Sequence, residues 1–156
     1  MPEEIYGTRE DYKKHIVSDD ANLTFLHRCF RNSLVAILKE GLSFSGDEIN
    51  GTATMQPKDI ESAEGLYRAG KDYGDSVAVV KIPRSLYGGG DGKSKGSIMR
   101  KELIYFHPKK GKFTVRPEFV IAWIDRNNDE AYENPFYDRQ PVEGHEEFDF
   151  MFEGTR

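Results

Sequence analysis

Leu23–Leu42, LTFLHRCFRNSLVAILKEGL, is the stretch from which the fold is read. Leu23, Phe25 and Leu26 with the β-branched Thr24 suit a buried or half-buried strand, which ends on the polar pair His27-Arg28. A compact helix follows at once. Asn32 or Ser33 supplies a capping side chain, and Leu34, Ile37, Leu38 and Leu42 recur at helical spacing on one face. Gly41 stands where a helix end wants a left-handed residue. A titratable and cationic pair held at the end of a core strand is a natural ligand contact.

Working outward, Thr8 followed by Asp11 resembles a helix start and predicts a short amphipathic helix over 9–17. On the other side a polar loop with Ser45-Gly46-Asp47 leads to Ile49–Met55, INGTATM, whose threonines favour an extended segment. Pro57 fits the first turn of a second helix running to about Ala69, with Ile60, Ala63, Leu66 and Tyr67 on one face. Ser76–Ile82, SVAVVKI, is the strongest strand in the chain, and its unbroken apolar run predicts a central position covered on both sides. Lys101–His107 and Lys112–Val115 read as strands around a Pro108–Gly111 turn, and Phe119–Ile124, FVIAWI, as a last buried strand. Several short strands with helices mainly in the first half define an α+β domain over residues 1–128.

The formal charge of −5 does not suit a general nucleic-acid binder. Its distribution is uneven. Residues 129–156 carry nine acidic and two basic side chains, so the remainder is about +2 and able to hold an anionic small molecule. This acidic, aromatic C-terminal stretch, with Tyr132, Phe136, Tyr137, Phe148, Phe150 and Phe152, reads as a tail packed on the domain. The alternative is a segment that binds a protein partner or gates a site. The first residues lack the apolar core of a secretion signal, and no run approaches a membrane span, so a soluble cytoplasmic protein is expected.

Several chemistries can be set aside. Gly92-Lys93-Ser94 resembles the end of a phosphate-binding P-loop, but the first glycine of that pattern falls at Tyr87. Ile98–Phe106 reads as strand, so no helix N-terminus would follow to hold phosphate. Gly88–Gly96 is better explained as a flap or a connection. His15, His27, His107 and His145 show no metal-ligand spacing, so no metal is expected. The single cysteine, Cys29, reads as a small buried hydrophobe rather than a nucleophile.

Three parts remain: His27-Arg28 at a strand end, the Gly51–Thr54 segment ahead of an aromatic-bearing helix, and Glu102 opening a strand. Over about residues 22–125 this ordered set resembles the ADP-ribosyltransferase superfamily, in particular its diphtheria-toxin and poly-ADP-ribose polymerase branch. LHRCFRNSLVAILKEGL is similar to that family's histidine-bearing strand and the helix ending I-L-x-x-G-L. KELIYF followed by RPEFVIAWI resembles its glutamate-opened strand and the apolar strand after it. The polymerase branch has a tyrosine on its second strand where this chain has Ala53 or Thr54, and Arg28 with Thr52-Ala53-Thr54 loosely echoes the arginine-type branch instead.

The resemblance implies a mixed, mainly antiparallel sheet with a few short helices. It also implies an enzyme of the toxin or effector kind that uses NAD as substrate and transfers ADP-ribose to an unidentified acceptor. Glu102 and His27 would be catalytic, and His27, Arg28, Thr52, Thr54 and Tyr67 or Tyr73 would hold NAD. The residue types suit the chemistry. Cleaving the nicotinamide–ribose bond passes through an oxocarbenium-like state that a carboxylate stabilises. An imidazole hydrogen-bonds a ribose hydroxyl, an aromatic ring offers a flat face to nicotinamide, and a guanidinium pairs with pyrophosphate. Glu118 is the alternative carboxylate, although Pro117 makes it look like strand punctuation. The competing expectation is a non-catalytic module that binds a nucleotide or a protein as inhibitor or decoy.

Overall fold

The computed structural model describes residues 5–43, 52–53, 60–68, 74–86, 103–107 and 109–136. They form an α+β fold of two antiparallel sheets and two short α-helices. The strands are β1 (Arg9–Asp11), β2 (Asn22–Cys29), β3 (Leu42–Ser43), β4 (Thr52–Ala53), β5 (Ser76–Pro83), β6 (Ile104–His107), β7 (Lys112–Val115), β8 (Val120–Asp125) and β9 (Glu130–Glu133). Helix α1 spans Arg31–Glu40 and α2 spans Ile60–Arg68. The larger sheet has the order β1-β9-β8-β5-β2-β4, and the smaller one β3-β7-β6.

Strand β5 explains its own sequence. It pairs with β2 on one side and β8 on the other, and its first five residues are buried. Ala78, Val80 and Ile82 face a cluster with Phe25, Cys29, Leu34, Ile37, Leu38 and Trp123, which joins the sheet to α1 and to the smaller sheet. Val77 and Val79 face the opposite cluster with Leu26, Ala122, Ile124, Ala63 and Tyr67, which joins it to α2. A strand covered on both faces has no reason to alternate polar and apolar residues.

Helix α1 ends as expected on Gly41, at φ 99°, with the Gly41 N–H donating to Ile37 at 2.9 Å. A side chain there would overlap the Val115 carbonyl, so the glycine also lets β7 pass close to the helix end. Its other end differs from expectation. Phe30 is the N-cap and makes no side-chain cap; Asp75, far along the chain, accepts from the Arg31 N–H at 3.0 Å instead.

The N-terminal segment is not the amphipathic helix expected over 9–17. Asp11 does cap a turn, accepting from the Lys13 N–H at 3.1 Å, but that turn is a single 3-10 stretch, Tyr12–His15. Arg9–Asp11 are drawn into extended pairing with β9, and strand hydrogen bonds there replace helical ones. The expected boundary after residue 128 likewise falls inside a hairpin. Strand β9 pairs with β8 from Ala122↔Glu133 to Asp125↔Glu130, so the start of the acidic stretch belongs to the main sheet. Fully buried Asn134 continues the tie, its amide donating to the carbonyls of Leu38 at 2.9 Å and Val120 at 2.6 Å. Among the described residues no helix is long and apolar enough to cross a membrane.

Candidate functional site

Strand β2 runs out at Cys29, and the chain turns through extended Phe30 into α1. Beside this junction the chain enters β5 through Gly74 and Asp75. Gly74 has φ 137°, and a Cβ on it would collide with the Cys29 carbonyl, so only glycine lets the two segments touch here. Just past β8, the Arg126 N–H donates to the Asp75 carbonyl at 2.9 Å, and its guanidinium donates to the Gly74 carbonyl, also at 2.9 Å. Three strand ends are thereby gathered at one edge of the sheet.

A cleft of about 510 Å³ opens at this edge, lined by Phe30, Tyr67, Arg68, Asp75, Arg126 and Asp129 among others. Its wall on the α2 side is a closed polar network. Arg68 grips Asp129 with two nitrogens, at 3.1 and 2.8 Å, and meets Glu64 at 3.3 Å. Tyr67 donates its hydroxyl to Asp129 at 2.6 Å, and Tyr12 donates to Glu64 at 2.7 Å. Burial pulls the Asp129 carboxyl up, but the hydrogen bonds from Arg68 and Tyr67 outweigh it and leave the group below its ordinary range. The Tyr67 hydroxyl is pushed well up by burial and by the carboxylate it donates to. This wall is fixed. Phe30, by contrast, is 57% exposed and presents a bare ring at the rim.

The expected ligand residues distribute unevenly around the cleft. Arg28 stands opposite Val77 in the pairing and shares the α2 face of the sheet. Burial first, and then the charge of Arg126, lower its pKa, so the two guanidiniums feel one another near the cleft. Tyr67 lines the cleft but is 2% exposed, with Arg68 at 5.1 Å and Tyr12 at 5.4 Å from its ring centre; it is packed rather than open. His27 stands opposite Ala78 and shares the other face with Phe25 and Cys29, so the strand separates it from Tyr67. Thr52 stands opposite Leu26 in β4.

Thr54, Tyr73 and Glu102 lie outside the described residues, as do Gly88–Gly96 and residues 137–156. Leu103, next to Glu102, is fully buried in the cluster that holds Phe25 and Cys29, on the His27 side of the sheet. Glu118 lies in a 3-10 turn, Pro117–Phe119, and is exposed. The Cys29 thiol is pushed up to about 12, chiefly by burial and then by Asp75, so it stays protonated at neutral pH and is no nucleophile. Phe30, Asp75, Arg126 and Asp129 were not anticipated. The FRN junction alone hinted at one of them, an aromatic residue where an apolar strand gives way to a helix.

A second cluster lies across the same sheet face. Glu10, Lys14, His15, Lys81, Ile121 and Glu133 line a cleft of about 420 Å³. His15 is buried and donates from Nε2 to Glu10 at 2.8 Å, while the Lys14 ammonium holds the other Glu10 oxygen at 2.8 Å. Burial lowers the His15 pKa, and outweighs the opposing pull of Glu10. Lys14 and Lys81 push in the same direction as burial. The folded state thus favours neutral imidazole.

The stability that His15 contributes is present above its ordinary value of 6.5 and is lost as pH falls through its lower folded value. Glu10, also lowered, loses its contribution in the same direction but only below 4.5. Melting temperature is therefore expected to fall on acidification from about pH 8 to about pH 5, and His15→Gln to flatten that limb while leaving the more acidic one. An unchanged slope in the variant would remove His15 from this role.

No family model, curated protein or solved structure matches the chain. The class established is an α+β protein built on mostly antiparallel sheets, with a cleft at the strand ends where β2 gives way to α1.

Proposed function

We propose that the protein takes NAD as substrate and acts as an ADP-ribosyltransferase, moving ADP-ribose to an acceptor. The observation that carries the reading is the cleft of about 510 Å³ where the His27-Arg28 strand ends. Its size falls in the range of small-ligand sites. A dinucleotide needs a flat apolar surface for a ring and cations for its pyrophosphate. Exposed Phe30 supplies the first, and Arg126 beside Arg28 the second. Phe30 takes the stacking role expected of Tyr67, whose ring is already packed. In this reading Glu102 stabilises the positive charge that develops at the ribose; His27, on the face of β2 opposite Arg28 and Tyr67, is not among the ligand contacts of this cleft.

Titration calorimetry of the full chain with NAD, followed by chromatography for free nicotinamide, tests the reading. Both binding and release are expected. Phe30→Ala and Arg126→Ala are each expected to weaken NAD binding about fivefold to tenfold. Phe30 is the cleaner probe, because Arg126 also holds the Gly74 carbonyl. Binding without release would make the chain a nucleotide-binding module instead. No heat at millimolar NAD would end the reading altogether.

A further inference from the structure

The second cleft, lined by Glu10, Lys14, His15, Lys81, Ile121 and Glu133, has no part in the NAD reading. It is laid across four neighbouring strands of the larger sheet. Glu10 comes from β1, Glu133 from β9, Ile121 from β8 and Lys81 from β5, while the 3-10 turn after β1 adds Lys14 and His15. Strand β8 is irregular just here. Its register against β5 passes from Ala122↔Val79 to Val120↔Val80, so Ile121 has no opposite residue on β5 and forms a β-bulge. Strict alternation sends neighbouring residues to opposite faces. The bulge instead puts Ile121 on the same face as Ala122, against the cluster on the α2 side.

Two of the charges in this cleft answer each other. Glu10 holds the Lys14 ammonium at 2.8 Å on one oxygen and accepts from His15 Nε2 at 2.8 Å on the other. Two charges do not. Lys81 makes one long bond, 3.4 Å to the Lys14 carbonyl, and among the described residues neither Lys81 nor Glu133 forms an ion pair. Strand β8 separates their strands, a spacing of about 10 Å. Burial lowers the Lys81 pKa despite the opposing pull of Asp19, the mark of an ammonium short of water and counter-charge. The third open group is His15. A carboxylate only accepts, so in the neutral ring Nε2 carries the proton and Nδ1 is an acceptor. That residue is 3% exposed, and its Nδ1 is buried with no hydrogen-bond partner. Most buried acceptors are met by something.

We infer that this cleft binds a free aliphatic α-amino acid, its carboxylate on Lys81, its ammonium on Glu133 and His15 Nδ1, and its side chain against Ile121. Two carboxylates and two ammoniums line the cleft, so it favours neither an anion nor a cation. A zwitterion answers both unpaired charges at once. An α-amino acid carries its two charges on one carbon, and a hydrogen bond at each end carries it across the width of β8. The cleft of about 420 Å³ lies in the range of small-ligand sites. It shares no lining residue with the larger cleft, so the inference stands apart from the NAD reading.

Titration calorimetry of the full chain with L-leucine, 4-methylpentanoate and 3-methylbutylamine tests it, the last two lacking the ammonium and the carboxylate in turn. Leucine is expected to bind at least about tenfold more tightly than either analogue. Lys81→Gln is expected to shrink the advantage of leucine over 3-methylbutylamine about tenfold while keeping its advantage over 4-methylpentanoate. Glu133→Gln is expected to do the reverse. Misfolding cannot produce this crossed pattern. Phe30→Ala, in the larger cleft, is expected to leave leucine affinity unchanged. No heat from leucine at about 10 mM, an affinity no greater than that of an analogue, or advantages that both variants leave untouched would overturn the inference.

Discussion

Replacing Trp123 by alanine is expected to remove about 3–5 kcal/mol of folding stability, a large part of what a domain of this size possesses. The indole is fully buried in the centre of β8, in the cluster that joins the larger sheet to α1. Its Nε1–H donates to the Ile5 carbonyl at 2.7 Å, and the rings of Tyr6 and Tyr132 lie 5.4 and 5.1 Å away. The Arg31 guanidinium sits over it at 4.7 Å while bonding Ser76, Tyr6 and Asp125. Truncation therefore leaves a cavity, an unpaired carbonyl and an arginine without its platform at the first turn of α1. Trp123→Phe keeps much of the volume and loses the Ile5 bond, so it is expected to cost only about 1–3 kcal/mol. Chemical denaturation of both variants checks the pair. A loss below about 1 kcal/mol for the alanine variant would show that the sheet does not depend on this ring.

How much was legible follows from which interactions are local. The β2–α1 junction, β5, the hairpin turn and β8 were all readable, because their apolar patterns and turn glycines report burial on the segment itself. Strand β9 was not. Glu130-Ala131-Tyr132-Glu133 looks like part of an acidic tail, since the partners that make it a strand are β8 and the distant Arg9–Asp11. The same pairing overrode the helix signal at Thr8 and Asp11. Capping of α1 by Asp75 was invisible for the same reason, as the donor and acceptor are 44 residues apart. At the cleft, Tyr67 was named in advance from its place on the helix face, whereas Phe30, Asp75 and the Arg126–Asp129 turn converge from three segments that nothing in the chain's order connects. Alternation along β2 already implied that His27 and Arg28 face opposite ways. What it did not reveal was which face α2 would cover.

Under the proposed activity, Glu102→Gln is expected to lower the rate of nicotinamide release from NAD about a thousandfold, with NAD affinity changed less than about threefold. The two expectations separate because the carboxylate's charge matters mainly when the ribose becomes cationic. In the ground state the nicotinamide ring carries the positive charge and the ribose is neutral, so an amide of the same size fits as well. In the oxocarbenium-like state the charge moves to the ribose, and a neutral amide cannot answer it. His27→Ala is the contrast: His27 lies on the face of β2 opposite Arg28, away from the cleft, so its loss is expected to leave NAD affinity and nicotinamide release close to those of the parent chain. Glu118→Gln serves as the control, an exposed carboxylate of the same type in the turn before β8. If Glu118→Gln rather than Glu102→Gln abolishes release, the carboxylate has been misassigned. If both variants release nicotinamide at the rate of the parent chain, no carboxylate at either position takes part in the bond cleavage.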